Sequence, residues 1–308
     1  MRRRRKFYRG SLNHIYQRAV NGFNIFYTDE DYLVFYTIFA VCVRSSDVIV
    51  LELFIMYNHF HMLIQTRTAK ELGAFMDRFT SWFVREYNWF SGRTGQLFKK
   101  NFGSAPKSDP KKIRSCINYI GNNPVEKSIC YNADMYKWGF LSYAKSTHPF
   151  SDPLILSSSS LQMRKAIKEI DEMVRLNLPL KYMQLRRIFF KLTPTEKMQV
   201  IDYIITEYSP FDYDGLVSFY GKYEDMIMAM DSNTGGEYDL KEDYDADSDV
   251  AYVEMCSYLS CKMGKDFSCK IITLPIEEKI KLFNELQQKT SAKARQICRF
   301  LHIKRPNQ

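Results

Sequence analysis

Residues 57–65 read YNHFHMLIQ, and this stretch places two of the chain's five histidines one residue apart beside an apolar run. Side chains alternate between the two faces of a β-strand, so His59 and His61 point to one face and Phe60 to the other. The two imidazoles then stand about 7 Å apart at the backbone, close enough to bind one metal ion. Two ordinary half-buried histidines would give the same pattern, so the spacing alone leaves both interpretations open.

Strand and helix patterns alternate along the first half of the chain. Apolar periodicity predicts strands or extended segments at 14–20, 47–57, 58–66 and 93–105, and helices at 29–46, 68–89 and 109–123. This order favours an α+β fold in which helices flank an antiparallel sheet. The strand with the two histidines would then belong to a sheet that is covered by helices.

The second half of the chain has a different character. Residues 151–160 (SDPLILSSSS) are predicted to be a linker that follows a first domain at 1–150. Residues 161–308 are predicted to form a mainly α-helical accessory domain, with helical periodicity at 161–176, 192–208 and 275–290. This domain contains an acidic insert at 236–249, in a stretch with seven acids and one lysine (−7 + 1 = −6).

The net charge of +9 is concentrated in the first half. Residues 1–150 hold 22 Lys and Arg against 11 Asp and Glu (22 − 11 = +11), whereas residues 151–308 hold 22 against 24 (22 − 24 = −2). A basic half favours a polyanionic partner, most simply a nucleic acid. The most apolar run contains Glu52 and is too short to span a bilayer, so no membrane association is expected. The seven cysteines include no CxxC pair and indicate free thiols.

The helix predicted at 109–123 has clear boundaries and one apolar face. Asp109 suits the N-cap, Pro110 suits the first turn, and Pro124 is expected to limit the far end. Four residues at helical spacing would pack this helix against the sheet: Ile113, Cys116, Ile117 and Ile120.

Two residues on the flank of that apolar stripe could carry chemistry. Tyr119 and Asn123 are four residues apart and therefore lie one above the other on a helix. Tyrosine can act as a nucleophile, and an asparagine carbonyl can bind a hard cation such as Mg²⁺. The chain has 21 tyrosines, however, and most tyrosines only pack. On these residues alone, a structural role for Tyr119 stays open.

Four segments in order, covering about residues 8–145, match a known family. They are HIYQR at 14–18, NHFHMLI at 58–64, GRTGQLFKKNFGSA at 92–105, and INYIGNNPVEKSIC with YKWGFLSY at 117–143. Together they resemble the HUH single-tyrosine transposases, in particular the REP-associated tyrosine transposases, which are similar to the insertion-sequence-200 type. Three positions depart from the family pattern: Tyr57 replaces a common proline, Gly121 replaces the usual histidine, and 139–141 differ from the family's WSSY.

The resemblance implies a fold and a site. The fold would be a five-stranded antiparallel sheet with flanking helices, of the ferredoxin or RRM-like type. His59 and His61 would be the metal-binding pair, with Phe60 between them. Tyr119 would be the nucleophile, and Asn123 would be the third metal-binding position. Two imidazoles and one amide suit Mg²⁺ or Mn²⁺ as the cofactor.

The resemblance also implies a reaction. Single-stranded or hairpin DNA would be cleaved and rejoined through a 5′-phosphotyrosine bond, as in DNA transposition, in the cytoplasm of a bacterium and in association with the nucleoid. Because the covalent bond conserves the energy of the phosphodiester, no nucleotide-binding motif is needed, and no P-loop motif occurs. The protein would be a monomer or a homodimer.

Basic residues of the first half are candidates for neutralising DNA phosphates. They are Arg2, Arg3, Arg4, Arg5, Lys6, Arg9, Arg93, Lys99, Lys100, Lys111 and Lys112. Nearby aromatic residues could stack on bases, although Phe98 and Phe102 are more simply interpreted as core residues. The C-terminal stretch at 290–303 resembles one helix of a helix-turn-helix, but a helix that caps a small bundle is favoured.

Three alternative functions fit the same residues. The chain could be a domesticated, sequence-specific DNA-binding protein without strand transfer. It could be a metal-dependent phosphodiesterase that uses water, with Tyr119 in a structural role. It could also be a replication initiator or relaxase, although such proteins often use paired tyrosines and no second tyrosine lies four residues from Tyr119.

Overall fold

The computed structural model describes residues 6–233, 248–264 and 267–303, so Arg2 to Arg5 and most of the acidic insert lie outside the described residues. The described chain forms an antiparallel sheet with helices on both faces, in the spatial order β2-β3-β1-β4. The strands are β1 (Leu12–Arg18), β2 (Val48–Met56), β3 (His59–Thr66) and β4 (Gly103–Lys107). The α+β class predicted from the sequence is confirmed.

The helices of the first half are α1 (Asp29–Arg44), α2 (Ala69–Ser91) and α3 (Pro110–Glu126). Those of the second half are α4 (Leu161–Arg175), α5 (Tyr182–Phe189), α6 (Pro194–Tyr208), α7 (Tyr213–Ser218), α8 (Tyr223–Asp231), α9 (Val250–Met263), α10 (Phe267–Thr273), α11 (Ile276–Lys289) and α12 (Ala294–Phe300). The mainly helical character predicted for this half is therefore correct. Among the described residues, no helix has the length and apolarity that crossing a membrane requires.

Two details of the prediction are wrong. The sheet has four strands in the described part of the chain, not five. The segment at 93–105 joins the sheet only at its end, where β4 begins. At its start, Gly92 and Gly95 adopt positive φ angles of 65° and 86° and turn the chain. Before β4, this segment makes only an isolated bridge between Ala19 and Phe98.

The end of α3 also differs from the prediction, because the helix continues through Pro124 to Glu126. A proline inside a helix removes one backbone hydrogen bond, here the bond that would reach the Ile120 carbonyl. The surrounding turn remains bonded, since Lys127 N donates to the Asn123 carbonyl (3.1 Å) and Ile129 N to the Pro124 carbonyl (2.9 Å). The helix therefore tolerates the loss of this one backbone hydrogen bond near its end.

The two faces of the sheet pack against different helices. On one face, the Phe60 ring lies 5.2 Å from the ring of Phe35 in α1 and 5.6 Å from that of Phe79 in α2. The alternation of β3 directs its histidines to the opposite face, where α3 packs through buried Ile117 and Ile120. The candidate site therefore lies between the sheet and α3.

Helix α1 is buried on nearly all sides because the helices of the second half pack against it. Tyr36 Oη donates to the Ile205 carbonyl (2.8 Å), and Tyr182 Oη donates to the carboxylate of Asp31 (2.8 Å). Burial raises the pKa of Asp31 to about 6. Buried residues between 161 and 230 thus share one core with the sheet, while the domain boundary proposed at 151–160 stays a prediction.

A second, smaller core joins the last helices to the segment after β1. Tyr27 packs with buried residues of α9 to α12, and its hydroxyl donates to the Phe300 carbonyl (2.8 Å). His302 Nε2 bonds the Asn24 carbonyl (2.6 Å). The packing of α12 in this cluster fits a helix that caps a bundle.

Glu52 on β2 is a buried carboxyl group on the α3 face of the sheet, since it pairs with Leu63 and is 2% exposed. Neither carboxylate oxygen has a hydrogen-bond partner among the described residues. Burial therefore raises the pKa of Glu52 well above its ordinary value of 4.5.

We expect Glu52→Gln to make stability less dependent on pH. The unfolded chain ionises Glu52 near its ordinary pKa, and the folded chain resists this ionisation. Wild-type stability is therefore lost as the pH rises, by up to about 1.4 kcal/mol per pH unit until the folded-state pKa is passed. Urea unfolding at pH 5 and pH 8 should show a smaller loss for Glu52→Gln than for wild type. The exposed Glu172→Gln is the control, and an equal loss in all three proteins would contradict the expectation.

Candidate functional site

Strand pairing brings three side chains of β1 to the face that carries the two histidines. In the antiparallel register, Tyr16 pairs with His61 and Arg18 pairs with His59. Paired residues point to the same face, and the alternation of β1 adds His14 two residues before Tyr16. His14, Tyr16 and Arg18 were not predicted as site residues. Their period-two spacing in HIYQR was the available signal, but it required knowing which strand pairs with β3.

The three histidines form one buried cluster. His14 and His61 are fully buried, and His59 is 6% exposed. The ring centroids of His59 and His61 lie 5.0 Å apart, and His14 Nε2 lies 3.0 Å from His61 Nδ1. Because His14 directs its nitrogen to His61, the three rings form a chain and not a set that converges on one point. Accordingly, the described residues contain no group of three or more His, Cys, Asp or Glu side chains arranged to hold a metal ion.

The ring of His59 is oriented by the residue before it. His59 Nδ1 lies 2.7 Å from Asn58 Oδ1, and Asn58 Nδ2 donates to the Gly22 carbonyl (3.1 Å). When His59 donates its Nδ1 proton to Asn58 Oδ1, the lone pair of the His59 ring is on Nε2. In the same way, an Nδ1 proton of His61 that is donated to His14 Nε2 leaves the lone pair of His61 on Nε2. Metal-bound histidines usually have such a partner on the second nitrogen. Each of these two imidazoles could therefore offer an Nε2 lone pair to a divalent cation, and their role as metal ligands stays a prediction.

The surroundings of His61 disfavour its charged form. Burial lowers its pKa well below the usual 6.5, and the nearby charges of His59, His14 and Arg18 lower the pKa further. Only a neutral imidazole has a lone pair for a metal ion. The environment of His61 thus favours the protonation state that a metal ligand needs.

Helix α3 brings Tyr119 to the histidines. The Tyr119 ring lies 5.8 Å from the His61 ring at an interplanar angle of 88°, and 6.0 Å from the His14 ring. Tyr119 is half-buried, so its ring borders both the histidine cluster and the surface. The apolar stripe predicted for this helix explains the placement, since buried Ile117 and Ile120 hold α3 against the core.

Asn123 lies one turn after Tyr119 and is 7% exposed. Its Nδ2 donates to the Tyr119 carbonyl (2.8 Å), so this hydrogen bond runs along α3 and not to the imidazoles. The carbonyl Oδ1 is the atom of Asn123 that could bind a cation. The role of Asn123 as a third metal ligand stays a prediction.

The basic residues predicted to contact DNA occupy different environments. Lys6, Arg9, Lys99, Lys100, Lys111 and Lys112 are exposed. Lys99 lies near the end of β1, because its backbone N–H donates to the Arg18 carbonyl (2.8 Å). Arg93 instead holds the loop after α2, donating to Asn88 Oδ1 (2.6 Å) and the Gln96 carbonyl (2.9 Å). Phe98 is a core residue, as the sequence suggested, and Phe102 is half-buried.

Comparisons with known proteins give one structural likeness. No protein-family model matches the chain, and no curated protein matches it. Among solved structures, the chain is similar to a REP-associated tyrosine transposase bound to a REP hairpin. The two are 13% identical, with a TM-score of 0.38, over 47% of this chain and 84% of that chain. A likeness at this level does not by itself assign an activity.

We expect Asn58→Ala to destabilise the fold by about 1–3 kcal/mol, because it leaves the buried Gly22 carbonyl and the His59 ring without their partner. Urea unfolding gives the free-energy change. The exposed Asn101→Ala is the control and should lie within about 0.5 kcal/mol of wild type. An Asn58→Ala protein as stable as the control would show that these hydrogen bonds are replaced by water at no cost.

Proposed function

We propose that the protein cleaves and rejoins single-stranded DNA by tyrosine transesterification, as a transposase does. The observation that carries the proposal is the position of the Tyr119 ring, 5.8 Å from the ring of His61. The HxH strand and the tyrosine helix are distant in sequence, and each was singled out from the sequence for the same chemistry. Their meeting at one buried cluster supports a shared role.

In the proposed reaction, Tyr119 Oη attacks the phosphorus of a phosphodiester. The bond from phosphorus to the 3′ oxygen breaks, and that oxygen leaves as a 3′-OH after taking up a proton. The downstream DNA remains attached to Tyr119 through its 5′ phosphate. Attack of a 3′-OH on this phosphotyrosine reverses the chemistry, rejoins a strand and returns the proton to Tyr119. One phosphate ester is exchanged for another at each step, so no nucleotide hydrolysis is needed.

His59 and His61 would hold the divalent cation, Mg²⁺ or Mn²⁺, with Mn²⁺ the better match to nitrogen ligands. When bound, the cation would polarise the phosphate and reduce the charge cost of attack. Asn58 and His14 would keep the two imidazoles in the required orientation through their contacts with Nδ1.

Exposed basic residues support a DNA substrate. Lys99 lies near the end of β1, and Lys111 and Lys112 lie at the start of α3; their exposed charges could neutralise DNA phosphates. A flexible single strand is the form that would reach a half-buried tyrosine with least distortion. From the sequence we also expect that the substrate is hairpin-flanked DNA and that the protein is a monomer or a homodimer.

One observation favours a second candidate function, DNA binding without strand transfer. The described residues offer two imidazoles with no acidic ligand beside them, and such a pair binds a hard cation weakly. A protein of this kind would bind the same DNA and form no covalent bond to it.

The central test is covalent capture of DNA. The protein is incubated with a panel of hairpin oligonucleotides and Mn²⁺, and a denaturing gel separates protein from free DNA. A label on the 3′ side of the cut should migrate with the protein, and a label on the 5′ side should not. Tyr119→Phe should abolish the adduct, because it removes the attacking oxygen, while the exposed Tyr131→Phe should retain it.

An adduct with Tyr119→Phe would identify another nucleophile. Cleavage without an adduct in wild type would identify a hydrolase, and binding without cleavage the second candidate.

Metal binding can be tested without DNA. We expect His61→Ala and His59→Ala each to weaken Mn²⁺ binding at least about tenfold, because each removes one of two nitrogen ligands. Calorimetry or the electron paramagnetic resonance of free Mn²⁺ measures the affinity. His148→Ala, which alters a half-buried histidine elsewhere, should bind Mn²⁺ as wild type does. Equal affinity in all four proteins would place the cation outside the histidine pair.

A further inference from the structure

The side of α3 that faces away from the sheet is held by the helical second half of the chain. Tyr220 Oη donates to Asn118 Oδ1 (2.6 Å) and lies 3.1 Å from the carbonyl oxygen of Arg114. Asn122 Nδ2 donates to the Asn233 carbonyl (2.7 Å). These bonds attach α3 to residues on both sides of α8.

Between these bonds, α8 approaches α3 closely at Gly121. A Cβ atom at this position would lie 2.5 Å from Met230 Sδ and 2.8 Å from Met230 Cγ. Gly121 has no positive φ, so its backbone would accept another residue. Glycine inside a helix is less favourable than alanine by about 1 kcal/mol. The contact with Met230, and not backbone conformation, therefore accounts for a glycine here.

The positions of residues around α3 show how the contact between Gly121 and Met230 affects Tyr119. With 3.6 residues per turn, Asn118 and Asn122 lie on the side of α3 opposite Ile117 and Ile120, which pack toward the sheet. Gly121 lies on the flank between Ile117 and these two asparagines. Tyr119 lies at the border between these two sides. Helix α3 is thus held between the core and α8, and rotation or sliding of α3 would move Tyr119 away from His61.

We propose that Met230 and Tyr220 are positioning residues that hold the tyrosine helix in register with the histidines. The catalytic consequence rests on the proposed function. The helices after 160 are then a structural part of the site, and Gly121 is the position at which they meet the tyrosine helix.

The test combines two substitutions that compensate for each other. Gly121→Ala adds a methyl group that must displace Met230 or α3, and Met230→Ala makes room for that methyl group. A displacement near 1 Å can cost up to about a hundredfold in rate. We expect Gly121→Ala to slow adduct formation at least about tenfold in single-turnover assays, with hairpin DNA affinity within about twofold of wild type. Gly121→Ala/Met230→Ala should recover to within about threefold of Met230→Ala.

Gly73→Ala is the matched control, because a Cβ at this helical glycine of α2 meets nothing within 4 Å. Its adduct rate should equal that of wild type. The proposal is wrong if Gly121→Ala reacts as fast as Gly73→Ala, or if Gly121→Ala slows the reaction as much in the Met230→Ala protein as it does in wild type.

Hydrogen exchange separates this proposal from the proposed function. Met230→Ala and Tyr220→Phe should each speed exchange of the α3 amides at 116–122 by several fold, without changing exchange in α2. This measurement needs no DNA, so it also decides the case in which wild type forms no adduct or Gly121→Ala does not fold. Unchanged exchange in both variants would overturn the proposal, whatever the outcome for the adduct.

Discussion

The tight turn at Tyr57 and Asn58 sets the register of β2 and β3, and the histidine cluster depends on that register. A shift by one residue would turn His59 and His61 into the core beneath α1 and α2. The turn is fixed from outside the hairpin as well as within it. Ala19 N donates to the Asn58 carbonyl (2.8 Å), and Ile25 N donates to the Tyr57 carbonyl (2.8 Å). The chain after β1 thus wraps the turn and holds both histidines on the α3 face.

The candidate site is built from three packed layers: the sheet, α3 and α8. The sheet supplies the imidazoles, α3 supplies the tyrosine, and α8 covers the outer side of α3. Burial lowers the pKa of His61 and raises the pKa of Glu52 on the same face. Burial beneath α3 therefore disfavours the charged forms of these two residues.

Much of this arrangement could be predicted from local patterns. The period of two in β3 was enough to put His59 and His61 on one face, and the apolar stripe of α3 was enough to put Tyr119 on the border of a packed helix. Features that depend on distant pairing could not be predicted. The contact of His14 with His61 requires the β1–β3 register, and the contact of Gly121 with Met230 requires the position of α8. Pro124 misled the prediction because its effect on a helix depends on how many bonds lie beyond it.

The docking of α12 beside Asn24 has a consequence for the order of folding. The bonds that hold the segment after β1 include Tyr27 to Phe300 and His302 to Asn24, which join residues 273 and 278 positions apart. Contacts of such separation form slowly, because a long loop must close before they contribute. The same segment carries the Gly22 carbonyl that orients Asn58 and, through it, His59. The hydrogen bonds that orient His59 through Asn58 are therefore linked to contacts of long sequence separation, whereas the β2–β3 hairpin that carries His59 needs only local contacts.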